Sequence, residues 1–179
     1  MTPDNKISNH VSTPRAGSVI AYHAETRWEP GRPKVLVVAC SDGRLQLAVD
    51  EFLHNHLAID DYDRYYIPGG PGGIATGGAF EFSRADYMRK DSAFLLRAHE
   101  VRELILLFHG SADDDPEHDC ADYKRKLDGW SSERILQQQL ADVHEIIDHV
   151  AELPWKLNIR AYRAEVDADH SVRFVDLLG

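Results

Sequence analysis

The chain has 179 residues, of which 43% are hydrophobic and 28% are charged, and its formal net charge is −10. These values predict one globular domain that is large enough to bury a core without disulfides. The negative charge argues against nucleic acid and anionic membranes as partners, because both attract basic proteins. No apolar stretch approaches the ~20 residues of a membrane span, and we see no signal peptide. We therefore expect a cytoplasmic protein.

Residues 1–30 are polar and are interrupted by several prolines and glycines. This composition predicts an N-terminal arm that leads into the core. The arm carries four apolar side chains, which we expect to pack on a partner subunit: Val19, Ile20, Tyr22 and Trp28. Residues 31–179 are then expected to form a single α/β domain.

The next part of the chain alternates between predicted strands and helices. Lys34–Ala39 and residues 103–108 (ELILLF) are continuous apolar runs, which are typical of strands buried on both faces of a parallel sheet. Residues 64–67 predict a shorter strand. Apolar residues recur at helical spacing over residues 45–57, and residues 91–101 are also predicted to be helical.

The C-terminal third of the chain predicts one long helix and a hairpin. Ser131 or Ser132 can cap the helix, whose inner stripe we expect to consist of Leu136, Leu140, Val143, Ile147 and Val150. Two alternating segments around residues 167–170 predict a β-hairpin. The whole order predicts an α/β fold with a mostly parallel central sheet, flanking helices and a C-terminal edge hairpin.

Residues that can take part in catalysis or metal binding follow the two apolar strands. Cys40, Asp42 and Arg44 come directly after the first strand, and His109 ends the second in the same way. Functional sites of parallel sheets lie at the carboxyl ends of the strands. We therefore expect these side chains to emerge at one edge of the sheet.

The only other cysteine, Cys120, lies in the acidic loop after His109. A reducing compartment favours metal binding, catalysis or simple burial over a disulfide for the two cysteines. Two thiolates and one imidazole suit zinc, and three protein ligands leave a fourth position open, as in catalytic zinc sites. The sequence thus predicts zinc bound by Cys40, His109 and Cys120. Arg44 would hold and orient the catalytic Asp42 beside it.

The same residues also have purely structural interpretations. Cys40 is compatible with a small buried hydrophobic side chain, and His109 with a core histidine that hydrogen-bonds to a carbonyl. Asp42 and Arg44 are compatible with a loop ion pair that caps the following helix. Their position at the ends of buried strands favours the site.

The motif CSDGR and the strand-ending histidine resemble the β-class carbonic anhydrases. Cys40, Asp42 and Arg44 match the family's Cys-x-Asp-x-Arg signature, while His109 and Cys120 match its histidine followed by a cysteine. The resemblance covers about residues 34–178. It implies the β-carbonic anhydrase fold, the zinc ligands and dyad named above, and a homodimer or higher homo-oligomer.

The activity that this resemblance implies is a zinc-dependent lyase that hydrates carbon dioxide to bicarbonate by attack of zinc hydroxide. Two features depart from the family. Ten residues separate His109 from Cys120, where the family has two, and the sequence YIPGGPGG replaces a polar run after the second strand. Backbone amides of residues 69–73 remain candidates for lining the pocket.

These departures leave alternatives open. The same fold and metal would also suit a related small electrophile, such as carbonyl sulfide or carbon disulfide, and a third possibility is a non-catalytic carbonic anhydrase-like binding protein. His118 is an alternative to Cys120 as the third ligand, and Asp119 is a weaker one. Whether Asp42 itself occupies the fourth zinc position at rest also stays open.

Overall fold

The computed structural model describes Val19, residues 21–76 and residues 82–179. The chain divides into two units, residues 1–31 and 32–179, and the architecture below is that of the second. Most of the predicted arm, including Ile20, lies outside the described residues. Its boundary at residue 30 stays a prediction.

Five strands form a single sheet in the order β2-β1-β3-β4-β5. The first four run parallel to one another, and the last pairs antiparallel with β4 at the sheet edge. Their bounds are Val35–Cys40 for β1, Asp63–Ile67 for β2, Glu103–Ser111 for β3, Asn158–Val166 for β4 and Val172–Asp176 for β5. The predicted fold class, a mostly parallel sheet with an edge hairpin, is confirmed.

Helices connect the strands. They are α1 (Gln46–Glu51), which continues as a π-helical turn over Phe52–His56, α2 (Phe82–Ala98), α3 (Ala121–Lys126) and α4 (Ser132–Ala151), and a short 3₁₀ turn covers Gly70–Gly73. Within the described part of the chain, no helix combines the length and the apolarity that crossing a membrane requires.

The sheet is buried on both faces, as its uninterrupted apolar strands predict. Successive side chains of a strand point to opposite faces. In β1, Leu36 and Val38 accordingly join a core cluster that includes residues of α2, α3 and α4, while Val37 and Ala39 join a second cluster formed with α1 and its π-helical turn. The carboxyl ends of β1 and β3 are thus held rigidly side by side.

Strand β3 is longer than the apolar run predicts. It continues through His109 and Gly110 to Ser111, because these residues keep their pairing with β4 up to Ser111 opposite Val166. Helix α2 also begins earlier than predicted, at Phe82. Its few buried residues give only a weak helical pattern in this part of the sequence.

Helix α4 is capped as predicted, and Val143 and Val150 of its predicted stripe are buried, but the face that it turns to the core is rotated from the predicted one. The Ser131 hydroxyl accepts a hydrogen bond from the Arg134 amide at the N-terminus. Leu136, Leu140 and Ile147 of the predicted stripe are only partly buried. The buried face of the helix includes two polar residues, Gln139 and Asp142. Their burial is possible because each makes hydrogen bonds inside the protein.

Candidate metal centre

The three predicted metal ligands meet at the carboxyl edge of the sheet. Cys40 ends β1, His109 lies near the end of the adjacent β3, and Cys120 directly precedes α3. Their possible ligand atoms all lie within 4.8 Å of one another, and the two Sγ atoms are 4.0 Å apart. Within the described residues, this is the only group of three acidic, histidine or cysteine side chains arranged closely enough to hold a metal ion.

The surroundings of these atoms suit a metal ion. His109 and Cys120 are 3% and 1% exposed, and His109 Nε2 is buried without a hydrogen-bond partner in the described structure. A buried polar atom without a partner destabilises the folded protein by ~1–3 kcal/mol. A metal ion bound to this nitrogen would remove that penalty. Two sulfurs and one imidazole form a donor set that suits zinc. The residues present therefore fit a zinc ion.

The two cysteines differ strongly in acidity. The thiol of Cys120, which can donate to the Cys40 sulfur, lowers the pKa of Cys40 to about 4; burial opposes this shift and His109 adds to it. The same hydrogen bond, together with burial, raises the pKa of Cys120. The shared contact between the two sulfurs thus shifts their pKa values in opposite directions. Both sulfurs must be thiolates to act as metal ligands, so metal binding would release any proton that they hold.

The alternative ligands do not join this group. The His118 side chain is 9% exposed, and its Nδ1 lies 3.6 Å from Asp113 Oδ1. Its ring packs edge-on against that of His170, with the centroids 5.4 Å apart. Both carboxylate oxygens of Asp119 accept hydrogen bonds from other groups. The third donor close to the other two is thus Cys120.

Asp42 and Arg44 form a tight pair of local contacts. Arg44 Nε donates to Oδ1 at 3.0 Å and Nη2 donates to Oδ2 at 2.6 Å, while the Arg44 amide also donates to Oδ1 at 3.0 Å. The Arg44 guanidinium lowers the pKa of Asp42 to about 2, so the carboxylate is ionised at neutral pH. The pair does not cap α1 directly, because the N-cap of that helix is Leu45 and lacks a side-chain hydrogen bond.

A cavity of about 200 Å³ lies beside these groups. It is lined by His109, by the Asp42 and Arg44 pair, and by two further histidines: His118, from the segment between His109 and Cys120, and His170, from the hairpin. Leu45, Val166 and Val172 complete the lining as an apolar wall. The cavity therefore offers a small volume whose lining combines hydrogen-bonding groups with aliphatic side chains.

No pattern in the sequence predicts that His170 lies at this cavity. It lies in the turn of the hairpin between β4 and β5, with a positive φ of 64°, and looks in sequence like a solvated turn residue. It reaches the cavity because β4 pairs in parallel with β3, which places the turn of the hairpin at the same sheet edge as His109. Only this long-range pairing could have revealed it.

The glycine-rich loop, residues 69–73, packs against β1 and α3 and does not line the cavity. Gly70 has a φ of +56°, and a Cβ there would lie 2.8 Å from the Cys40 amide nitrogen. A Cβ on Gly72 would clash with the hydroxyl of Tyr123 in α3. None of residues 69–73 belongs to the lining of the cavity. The missing side chains thus let the loop pack closely against β1 and α3.

No protein-family model matches the sequence, and no curated protein matches it. Solved structures similar to this chain include a β-carbonic anhydrase of Aspergillus fumigatus, with 15% identity, 82% of this chain and 77% of that one covered, and a TM-score of 0.43. β-Carbonic anhydrase isoform I of Trichomonas vaginalis has 17% identity, 85% and 86% coverage, and a TM-score of 0.45. A carbonic anhydrase of Glaciozyma antarctica has 15% identity, 83% and 83% coverage, and a TM-score of 0.44. Each is a likeness of chain fold at low sequence identity.

Proposed function

We propose that the chain is a zinc-dependent lyase that hydrates carbon dioxide to bicarbonate. One observation carries the proposal: the ligand atoms of Cys40, His109 and Cys120 lie within 4.8 Å of one another, beside a small cavity that Asp42 and His109 line. A site with three protein ligands leaves a position open for catalysis. The CSDGR motif, which resembles that of β-class carbonic anhydrases, also supports this function.

Zinc, when bound by Cys40, His109 and Cys120, supplies a Lewis acid that lowers the pKa of water to about 7. The chain's own residues then orient the reactants. Asp42 is ionised and offers a hydrogen-bond acceptor at the cavity. Arg44 contacts both of its oxygens, so the carboxylate is kept in one orientation as an acceptor. The guanidinium thus has a positioning role.

The shape and polarity of the cavity suit a small electrophile. Leu45, Val166 and Val172 form an aliphatic wall that can contact an apolar molecule such as carbon dioxide. The polar groups of the lining can hydrogen-bond to oxygen atoms of the product. Sites of this kind combine apolar walls with a few placed polar groups.

The test combines metal content with a panel of substrates. Protein purified without chelator should contain about one zinc per chain, and stopped-flow assays should show hydration of carbon dioxide that is lost in Cys40→Ser. Zinc with hydrolysis of carbonyl sulfide or carbon disulfide, but no hydration of carbon dioxide, would establish the related-electrophile alternative. Absence of zinc would support a non-catalytic binding protein and contradict the proposal.

We propose in addition that the protein is a cytoplasmic homodimer or higher homo-oligomer. The arm carries Val19, Tyr22 and Trp28, which are 93%, 79% and 85% exposed. Association with a second copy of the chain would remove such apolar side chains from water. Light scattering during size exclusion should give at least a dimer at micromolar concentration, and Tyr22→Ser with Trp28→Ser should weaken it. A monomeric full-length chain would contradict the assembly.

A further inference from the structure

Buried polar side chains close the insertion that separates His109 from Cys120. We infer that Asp119 is a positioning residue whose carboxylate brings Cys120 to Cys40 and His109, an inference that rests on the proposed metal site. Asp119 directly precedes Cys120 and is 3% exposed. The sequence suggests Asp119 only as a weaker alternative ligand and gives no sign of this positioning role.

The Asp119 carboxylate joins three parts of the chain. Its Oδ1 accepts a hydrogen bond from the Ser111 amide at 3.1 Å, and its Oδ2 accepts one from the Ser132 hydroxyl at 2.5 Å. Ser111 is the last residue of β3, and Ser132 is the first residue of α4. One side chain thus ties the start of the insertion, its end and the following long helix together.

A second set of contacts fixes the strand end to which Asp119 is tied. Arg163 of β4 is 2% exposed, and its Nη2 donates to the Ser111 carbonyl at 3.0 Å while its Nε donates to Gln139 Oε1 at 3.0 Å. Gln139 Nε2 in turn donates to the His109 carbonyl at 2.9 Å. Gln139 and Arg163 therefore fix the backbone on either side of Gly110.

Gly110 provides the space for this arrangement. A Cβ at this position would clash with the Arg163 guanidinium and would lie 3.1 Å from Asp119 Oδ1. The buried cation and the buried carboxylate thus both border the volume that a side chain at residue 110 would fill. Opposite charges that are buried near each other offset part of their mutual desolvation cost.

Little else in the insertion can place Cys120. The middle of the segment, residues 113–117, is exposed, so it buries little apolar surface. On its other side Cys120 is followed by α3, which the buried Tyr123 ties to Asp142 of α4, so Asp119 is the tie on the side of the insertion. Closing a flexible loop costs conformational entropy. The hydrogen bonds of Asp119 offset part of that cost one residue before the metal ligand.

The experiment compares Asp119→Ala with Asp115→Ala, a matched change at an exposed carboxylate of the same insertion. Zinc affinity is measured by competition with a chromophoric chelator. In metal-free protein, mass spectrometry follows alkylation of Cys120 by iodoacetamide relative to an added cysteine-containing peptide, because the reactivity of Cys40 itself depends on its contact with Cys120. For Asp119→Ala we expect a zinc affinity about 10–100-fold weaker and faster relative alkylation of Cys120. Asp115→Ala should match the wild type in both readouts.

Two more variants separate positioning from general stability. Asp119→Asn, which keeps an acceptor for the Ser111 amide, should recover part of the zinc affinity. Ser132→Ala removes only one hydrogen bond, and should shift both readouts in the same direction by a smaller factor. If Asp119→Ala does not fold by circular dichroism, Ser132→Ala decides the matter.

The inference would be overturned if folded Asp119→Ala kept the wild-type zinc affinity and the wild-type alkylation of Cys120. If Asp119→Ala does not fold, the same result in Ser132→Ala would overturn it. A wild-type chain that binds no zinc would overturn the proposed function instead. The alkylation ratio in metal-free protein would still show whether Asp119 places Cys120. The two failures are therefore distinguishable.

Discussion

The two sides of the candidate metal centre are built in different ways. At the end of β1, the chain supplies Cys40, Asp42 and Arg44 within five positions, and the Asp42–Arg44 contacts span two residues of sequence. At the end of β3, the backbone of His109 and Ser111 is held by residues 30 and 52 positions further along the chain, Gln139 and Arg163. The β1 side thus depends on local geometry, while the β3 side depends on the assembled core.

The largest effect should come from removing a ligand on either side. We expect Cys40→Ser and Cys120→Ser each to weaken zinc binding by more than ~100-fold, since loss of outer-shell partners alone costs about 10–100-fold. Elemental analysis and chelator competition measure this. If Cys120→Ser kept its zinc while Cys40→Ser lost it, the third ligand would be His118 and not Cys120.

Removal of the buried cation should destabilise the fold on the β3 side. Arg163→Met leaves the Ser111 carbonyl and Gln139 Oε1 without the donor that contacts them, and removes one of two arginines that pair with Glu165. We expect a loss of ~3–5 kcal/mol in the free energy of unfolding, as for other broken buried ion pairs. The control is Arg173→Met, whose exposed side chain also pairs with Glu165 and should cost ~0–1 kcal/mol. Urea titrations that gave equal losses would contradict the comparison.

Glycines at the two strand ends provide a matched pair of substitutions. Gly110→Ala places a Cβ against Arg163, whereas no atom lies within 4 Å of the position that a Cβ would take at Gly43. We expect Gly110→Ala to cost ~1–3 kcal/mol of stability by overpacking and Gly43→Ala to change it by less than ~0.5 kcal/mol. Thermal unfolding of both variants measures the difference. A stable Gly110→Ala would mean that the guanidinium moves aside at little cost.

On the β1 side, Arg44→Ala should affect activity more than folding. Arg44 is 68% exposed, so its loss should cost ~0–1 kcal/mol of stability. Release of Asp42 should reduce the hydration rate by about 10–100-fold while zinc is retained. Zinc content and stopped-flow rates measured on the same sample test this. An unchanged rate would reduce Asp42 and Arg44 to a surface ion pair.

The smallest expected effect is the acid dependence of this pair. Arg44 lowers the pKa of Asp42 from 3.8 to about 2 in the folded protein, so the folded state binds this proton less tightly than the unfolded state does. The resulting stabilisation is present above the unfolded value and is lost as the pH falls through the folded one. The difference in stability between the wild type and Arg44→Ala should therefore shrink between pH 4 and pH 2 in urea titrations.

The sequence by itself predicted the parts of this protein that depend on neighbouring residues. The apolar runs before Cys40 and His109 indicate strands buried on both faces, because no polar residue alternates with the apolar ones. Parallel pairing then puts both side chains at one edge of the sheet. The Asp42 and Arg44 pair could be predicted as well, since its contacts span only two residues.

The tertiary structure decided whatever depends on distant partners. The return of Cys120 to the other two ligands, the reach of His170 to the cavity and the burial of Gln139 in the core leave no periodic signal in the sequence. Each results from pairing between β3 and β4 or from packing against α4. A buried polar side chain is stable only when its hydrogen bonds are satisfied, and those partners become known only when the chain is folded.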